Sequence, residues 1–297
     1  MGHCALTLIM TTVLLLVASI ASGQEKLSVY AVNYPLQYFA QRIAGEQAEV
    51  ILPLPSAIDP AFWQPDVATI TGFQQADIIL LNGAGYAKWV NRVSLPRRKL
   101  VDTSAGFSDR YINTEGKVTH SHGREGDHSH TGSAFTTWLD FTQAVEQARA
   151  IAEALSHQRP GSKEVFVRNL AALEKDLLDL DKRVKAIVSM DPDRQLLASH
   201  PVYQYFRRRY GLHLESVMWE PDAMPDEVEW SELVRLLKGH PANWMLWEGK
   251  PNQESVARLR SMGIDSLVFD PCSNRPGDGN FFSVMQQNVL NLEQVFQ

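Results

Sequence analysis

Four of the nine histidines lie in one short stretch, His120-Ser-His122-Gly-Arg-Glu-Gly-Asp127-His128-Ser-His130. Imidazoles at alternate positions beside carboxylates can gather a divalent ion such as zinc, in several geometries and none of them rigid. Affinity there is expected to be modest and pH-dependent, because each ring must be deprotonated to bind. Residues 118–133 are His, Gly, Ser and acidic with almost no apolar content, which predicts an exposed flexible loop. A solvated insertion without a role is the competing reading.

A second group is scattered along the chain but shares a structural position. Predicted strands run into Asp59-Pro60 after a short loop, Asn82, Asp102, His200, Glu248 and Asp270-Pro271-Cys272. In open α/β sheets, ligands bind beyond the carboxyl ends of the strands. His200, Glu248 and Asp270 offer one nitrogen and two carboxylates, a set that suits a divalent transition metal. The plainer alternative is that strand ends are polar because loops are solvated. Ser199-His200-Pro201 places His200 at a helix N-cap with Pro at N1. The positive end of that helix dipole disfavours imidazolium and so favours a metal-competent ring. A capping or core-bonded histidine is the other reading. The Trp-Glu pairs in Trp219-Glu220-Pro221-Asp222 and Trp247-Glu248-Gly249 could flank a ligand, though a buried Trp beside a polar turn is the commoner explanation. Asn82-Gly83-Ala84-Gly85-Tyr86 reads as a tight strand-to-helix turn, and no G-x-S-x-G, C-x-x-C, H-E-x-x-H or Walker loop is present.

Two α/β halves are needed to hold these residues. The first has predicted strands at 27–32, 48–54, 77–81 and 100–102, with helices at 36–43, 67–75 and 141–155. The second has strands at 195–199, 213–217, 244–247 and 266–269, with helices at 201–210, 227–237, 253–262 and 281–296. Such alternation predicts parallel sheets covered by helices. Between the halves, residues 162–189 lack Pro and Gly and carry Val165, Leu170, Leu173, Leu177, Leu180, Val184 and Ile187 at helical steps. One helix of about 40 Å follows from the rise per residue, making a rigid connector and a cleft between similar lobes.

Composition fits an ordinary globular protein, at 44% hydrophobic and 21% charged. Lys+Arg 28 against Asp+Glu 34 gives a net charge of -6, without the basic excess that nucleic-acid binding requires. Before Glu25 runs an apolar stretch ending in small residues, with Ala21 and Gly23 placed for cleavage after Gly23. The expected organisation is a signal peptide (1–23), a first lobe (24–160) carrying the His-rich loop (118–133), a linker helix (161–189) and a second lobe (190–297). Cleavage would remove Cys4 and leave Cys272 unpaired.

With these residues in view, the chain resembles the zinc- and manganese-type metal-binding solute receptors of bacterial ABC transporters. The likeness rests on Ala57-Ile-Asp59-Pro60, Asn82-Gly-Ala-Gly85 followed by Trp89, Trp138-Leu-Asp140, the His/acidic loop and the long linker. Ser199-His200, Tyr205-Phe206-Arg-Arg-Arg-Tyr210-Gly211-Leu212 and Val268-Phe-Asp270-Pro271 complete the set. The resemblance implies an exported, periplasmic, non-catalytic receptor, expected to be monomeric. Its cargo would be a divalent metal, zinc first and manganese or a softer ion next, handed to an ABC permease. It also implies two first-lobe histidine ligands, but their positions hold Ala61 and Thr136. His200 and Asp270 keep their places, with Glu248 and Cys272 as candidates to complete the shell and the His loop as another source of donors. Phe62, Trp63, Thr136 and Trp138 would then wall the cleft. The runner-up is a receptor of this fold for a metal chelate or small organic ligand. A periplasmic metalloenzyme using His200, Glu248 and Asp270 comes third.

Overall fold

The computed structural model describes residues 25–56, 58–114, 119–121, 127–129 and 132–297. The signal segment, His122 and His130 therefore lie outside the described residues. Among those described, no helix is long and apolar enough to cross a membrane.

The first lobe opens with β1 (Leu27–Ala31), whose alternate side chains are buried. Asn33 then starts α1 (Tyr34–Ala44) by accepting the Leu36 N–H, with Pro35 fitting the first turn. Next come β2 (Ala48–Ile51), α2 (Val67–Gln75) capped by Asp66, β3 (Ile78–Leu81) and β4 (Leu100–Asp102). All pairings are parallel, in the order β2-β1-β3-β4.

The histidine-rich region is not simply irregular. Short β5 (Asn113–Thr114) and β8 (Gly132–Ser133) pair antiparallel and hold its base together. Within it, β6 (Thr119–Ser121) pairs with β7 (Asp127–Ser129), setting the backbone of His120 opposite that of His128. Polar composition concealed these ladders, because two- and three-residue strands of polar residues carry no alternating apolar pattern.

After α3 (Phe141–Gln158), the connector α4 (Lys163–Val188) is one unbroken helix, as its periodicity predicts. It packs on α1 and α3 of the first lobe. It also meets α5 (Gln204–Tyr210) and α8 (Phe281–Glu293), which belong to the second lobe. The second sheet joins β9 (Gln195–Ala198), β10 (His213–Ser216), β11 (Trp244–Trp247) and β12 (Asp265–Val268) in parallel, in the order β10-β9-β11-β12. Helices α6 (Glu227–Leu237) and α7 (Gln253–Ser261) complete it. The two sheets thus share one topology.

One apolar core runs through both lobes and the connector, including Phe39, Leu173, Leu177, Phe206 and Phe281, and a second cluster around Trp219, Trp230 and Trp247 lies within the second lobe. Each such side chain contributes about 1.5–3 kcal/mol by leaving water. The connector is also clamped electrostatically. Buried Asp181 accepts Arg209 Nε and Nη2, each at 2.8 Å, and the Tyr210 hydroxyl at 3.0 Å. Burial alone would raise the Asp181 carboxyl, but hydrogen bonds from Arg209 and Lys185 hold it below its ordinary value.

Candidate metal centre

Parallel strands deliver the second lobe's ionisable groups to one edge. Beyond β9, Ser199 N–H donates to Leu246 O (2.8 Å) and Trp219 N–H to Ser199 O (2.7 Å), so the backbone around His200 is fixed on both sides. His200 is buried, with 4% of its surface exposed. Its Nδ1 lies 3.7 Å from Glu220 Oε1 and 3.9 Å from Glu248 Oε1. Two ligands of one tetrahedral zinc, bound at about 2.0–2.1 Å, stand about 3.4 Å apart, so these separations are a few tenths of an ångström too wide.

Around that trio stand further carboxylates. Burial first, and then the negative charges of Asp59, Glu220 and Asp270, push the Glu248 carboxyl well above the ordinary range. Asp59 comes from the first lobe, where its Oδ1 accepts the Ala61 N–H at 2.8 Å. Asp270 is pinned by Asn288, which accepts its N–H (3.0 Å) and donates to its carbonyl (2.7 Å). Its Oδ1 accepts the Cys272 N–H at 2.7 Å, and burial outweighs that bond to raise its pKa. The Tyr203 hydroxyl, donating to Phe269 O at 2.7 Å, closes one side. Two carboxylates face one imidazole, and the charges of two more act on Glu248, so the group is crowded with like charge in the absence of a cation. That donor chemistry fits a divalent ion. Among the described residues, however, no group of three His, Cys, Asp or Glu side chains could hold an ion as it stands.

The structure rearranges several sequence expectations. Helix α5 starts at Gln204 with Tyr203 as its N-cap, so His200 caps no helix and the dipole argument for its neutrality falls. The reason is local: Val202 N–H turns back onto His200 O at 2.9 Å, keeping residues 200–202 out of the helix. Glu220 was concealed by its neighbour. Trp219 is indeed buried and packs 4.6 Å from Trp230, but the adjoining carboxylate faces His200. Asp59 stood among the strand-end residues without an assigned role.

Cys272 lies 1% exposed in the apolar core at φ +56°, with its Sγ 3.8 Å from Asn274 O. Burial, then the charge of Asp270, push its thiol far up, so a thiolate ligand is disfavoured there. Thr136 is buried and donates to Val202 O across the lobe junction, while Ala61 is buried beside Asp59. Trp138 is fully buried and donates Nε1 to Pro271 O at 2.8 Å, which makes it a tie between lobes rather than an open wall. Phe62 and Trp63 are half-buried, against Phe135 and Trp89 respectively. His120 and His128 sit on paired strands of the loop.

Comparison with known proteins agrees with this architecture. The zinc-binding lipoprotein AdcA of Streptococcus pneumoniae is 26% identical over 282 residues, covering 91% of this chain and 56% of that protein. This chain therefore spans little more than half the length of that relative. The high-affinity zinc uptake system protein ZnuA of Bacillus subtilis is 26% identical over 286 residues, covering 90% of this chain and 87% of that protein. A Zn(II)-bound AdcA structure from Streptococcus pneumoniae superposes with a TM-score of 0.77 at 22% identity, covering 92% of this chain and 58% of that one. The family described as zinc-uptake complex component A, periplasmic, matches residues 29–295, and the chain belongs to it.

Proposed function

We propose that this protein is an exported receptor that captures a divalent metal, zinc first, and delivers it to an ABC-type permease. The carrying observation is that Glu220 and Glu248 both face buried His200, with Asp59 and Asp270 close enough for their charges to act on Glu248. Family membership and the zinc named in its relatives support that cargo. His200, Glu248 and Asp270 are the ligands expected from sequence, Glu220 joins them, and Asp59 supplies the first lobe's share. Cys272 is left out of this set because its thiol is sequestered. Small movements of the carboxylates complete the shell, which needs only to capture and release an ion. Residues 1–23 would direct export and be removed, placing the mature chain in the periplasm as a monomer.

The His loop is a second, weaker zinc site in this reading. Equilibrium dialysis of the mature chain against zinc should show one tightly held ion plus weaker binding. Replacing His120, His122, His128 and His130 together should remove only the weaker part. A mature chain that holds no ion once those four are gone would overturn the receptor reading.

A further inference from the structure

The loop after β12 starts in the second lobe and lies against the first. Beyond Asp270, Pro271 O accepts Trp138 Nε1 at 2.8 Å, and Ser273 O accepts the Tyr34 N–H at 2.9 Å. The next two side chains reach into the loop that leaves β2. Asn274 Nδ2 stands 2.8 Å from Pro55 O, 3.2 Å from Ser56 O and 2.8 Å from Ile58 O. Arg275 donates Nη1 to Leu54 O at 3.0 Å, Nη2 to Leu52 O, and Nε to Gln37 Oε1 at 3.2 Å. Carbonyls that leave a strand have no ladder partner and need another donor. Here the other lobe supplies a donor to each of Leu52, Leu54, Pro55, Ser56 and Ile58.

Ile58 O belongs to the peptide bond that joins Asp59, so Asn274 grips the chain directly before the first lobe's carboxylate. Asp59 is in turn close enough for its charge to act on Glu248. Its own side chain is oriented by the Ala61 N–H. The Asn274 amide has one workable orientation. Its Oδ1 accepts the Arg275 N–H at 2.7 Å, and turning the amide over would set that oxygen against three carbonyls. Arg275 directs all three of its guanidinium nitrogens at neutral acceptors, so it braces the same loop beside Asn274. A tie that served only to join the lobes could fall anywhere along their junction. This one runs from one carboxylate of the cluster, Asp270, to the backbone that carries another, Asp59. One loop of the second lobe therefore sets carboxylates from both lobes.

We propose that Asn274, braced by Arg275, is a positioning residue of the metal site, holding Asp59 beside Glu248 so that the first lobe shares in binding the ion. This rests on the receptor reading above. The test is zinc affinity of the mature chain with the four loop histidines replaced by Ser, measured by competition with a chelator of known affinity. Asp59→Asn should weaken zinc at least tenfold, and Asn274→Ala at least fivefold. In the Asp59→Asn background, Asn274→Ala should change affinity less than twofold, because the group it positions no longer binds the ion. Arg275→Met should weaken zinc at least threefold and lose that effect in the same background. It is the smaller change because Leu52 and Leu54 lie farther along the chain from Asp59. Where Asn274→Ala does not fold, Arg275→Met decides in the same way. A role confined to joining the lobes predicts a lower melting temperature with zinc affinity within twofold of the parent, and that result would overturn the positioning role. So would a loss that persists in full beside Asp59→Asn, or unchanged affinity in Asp59→Asn itself. All three leave the receptor reading in place, whereas a parent chain that holds no zinc removes both.

Discussion

The two lobes repeat one sheet order and put different chemistry at the same place. In each, the chain order reverses between the two central strands, β1 and β3 in one lobe, β9 and β11 in the other. Backbone hydrogen bonds fix the equivalence. Val32 N–H reaches Leu80 O as Ser199 N–H reaches Leu246 O, and Thr103 N–H reaches Leu81 O as Phe269 N–H reaches Trp247 O. Asn33 therefore corresponds to His200, Asn82 to Glu248 and Ser104 to Asp270. In the first lobe the crevice is sealed: Asn33 Nδ2 donates to Asn82 Oδ1 at 3.1 Å, and Gln147 Nε2 donates to the same oxygen at 3.3 Å and to Thr103 Oγ1 at 3.0 Å. In the second lobe the matching positions carry ionisable groups 3.9 Å apart that crowd charge instead of satisfying it. One crevice is a structural plug, and the other is the site that the proposed function assigns to the metal. A shared fold supplies the position, and the residue types there decide its use.

The largest expected effect separates the two crevices directly. His200→Ala should abolish zinc binding outside the His loop, whereas Asn33→Ala should leave it unchanged and cost stability by loss of a buried network and a helix cap. A His200→Ala chain that keeps its ion would break the comparison. Next in size is the joint the lobes share. Asp181→Ala removes two short hydrogen bonds from Arg209, leaving it Asp140 Oδ1 at 3.6 Å, and should cost about 1.5–3 kcal/mol in urea unfolding. Because the folded Asp181 carboxyl is held below its usual 3.8, the stability it contributes is present above that value and is lost as pH falls through the folded one. The acid limb of the wild-type stability curve should therefore be steeper than that of Asp181→Asn.

Glu220→Gln and Glu248→Gln sharpen the contrast from within the site. Each should weaken zinc roughly tenfold, about 1.4 kcal/mol, and raise the melting temperature of the metal-free chain by relieving like charge. Loss of stability in both would mean that they serve packing. Thr136→Ala should be smallest, at about 1 kcal/mol of stability for one hydrogen bond, with zinc affinity unaltered. Ala61→His combined with Thr136→His, which brings nitrogen donors to the first lobe, should raise zinc affinity in calorimetry.

Long periodic elements were legible from sequence because burial imposes their pattern: α4 and the eight strands of the two main sheets stand within a few residues of their predicted limits. The start of α5 was not, since Pro201 reads as a first-turn residue while the turn between Val202 and His200 depends on tertiary packing. His200, Glu248 and Asp270 could be picked out because each follows an apolar strand directly. Glu220 and Asp59 were visible only as one of a pair of Trp-Glu turns and as a strand-end residue without a role, because each reaches the cluster by a loop after its strand and loop paths leave no periodicity to read. Cys272 misled for a related reason. Its place beside Asp270-Pro271 suggested a ligand, but a left-handed backbone at that residue turns it into the core.

The central claim, that the second lobe's carboxylates and one imidazole hold the ion, is tested most directly by X-ray absorption at the zinc edge. The sample is the mature chain with His120, His122, His128 and His130 replaced and one equivalent of zinc added. The expected spectrum shows a single imidazole with the remaining scatterers oxygen. A sulfur scatterer at about 2.3 Å, or several imidazoles around the ion, would contradict it.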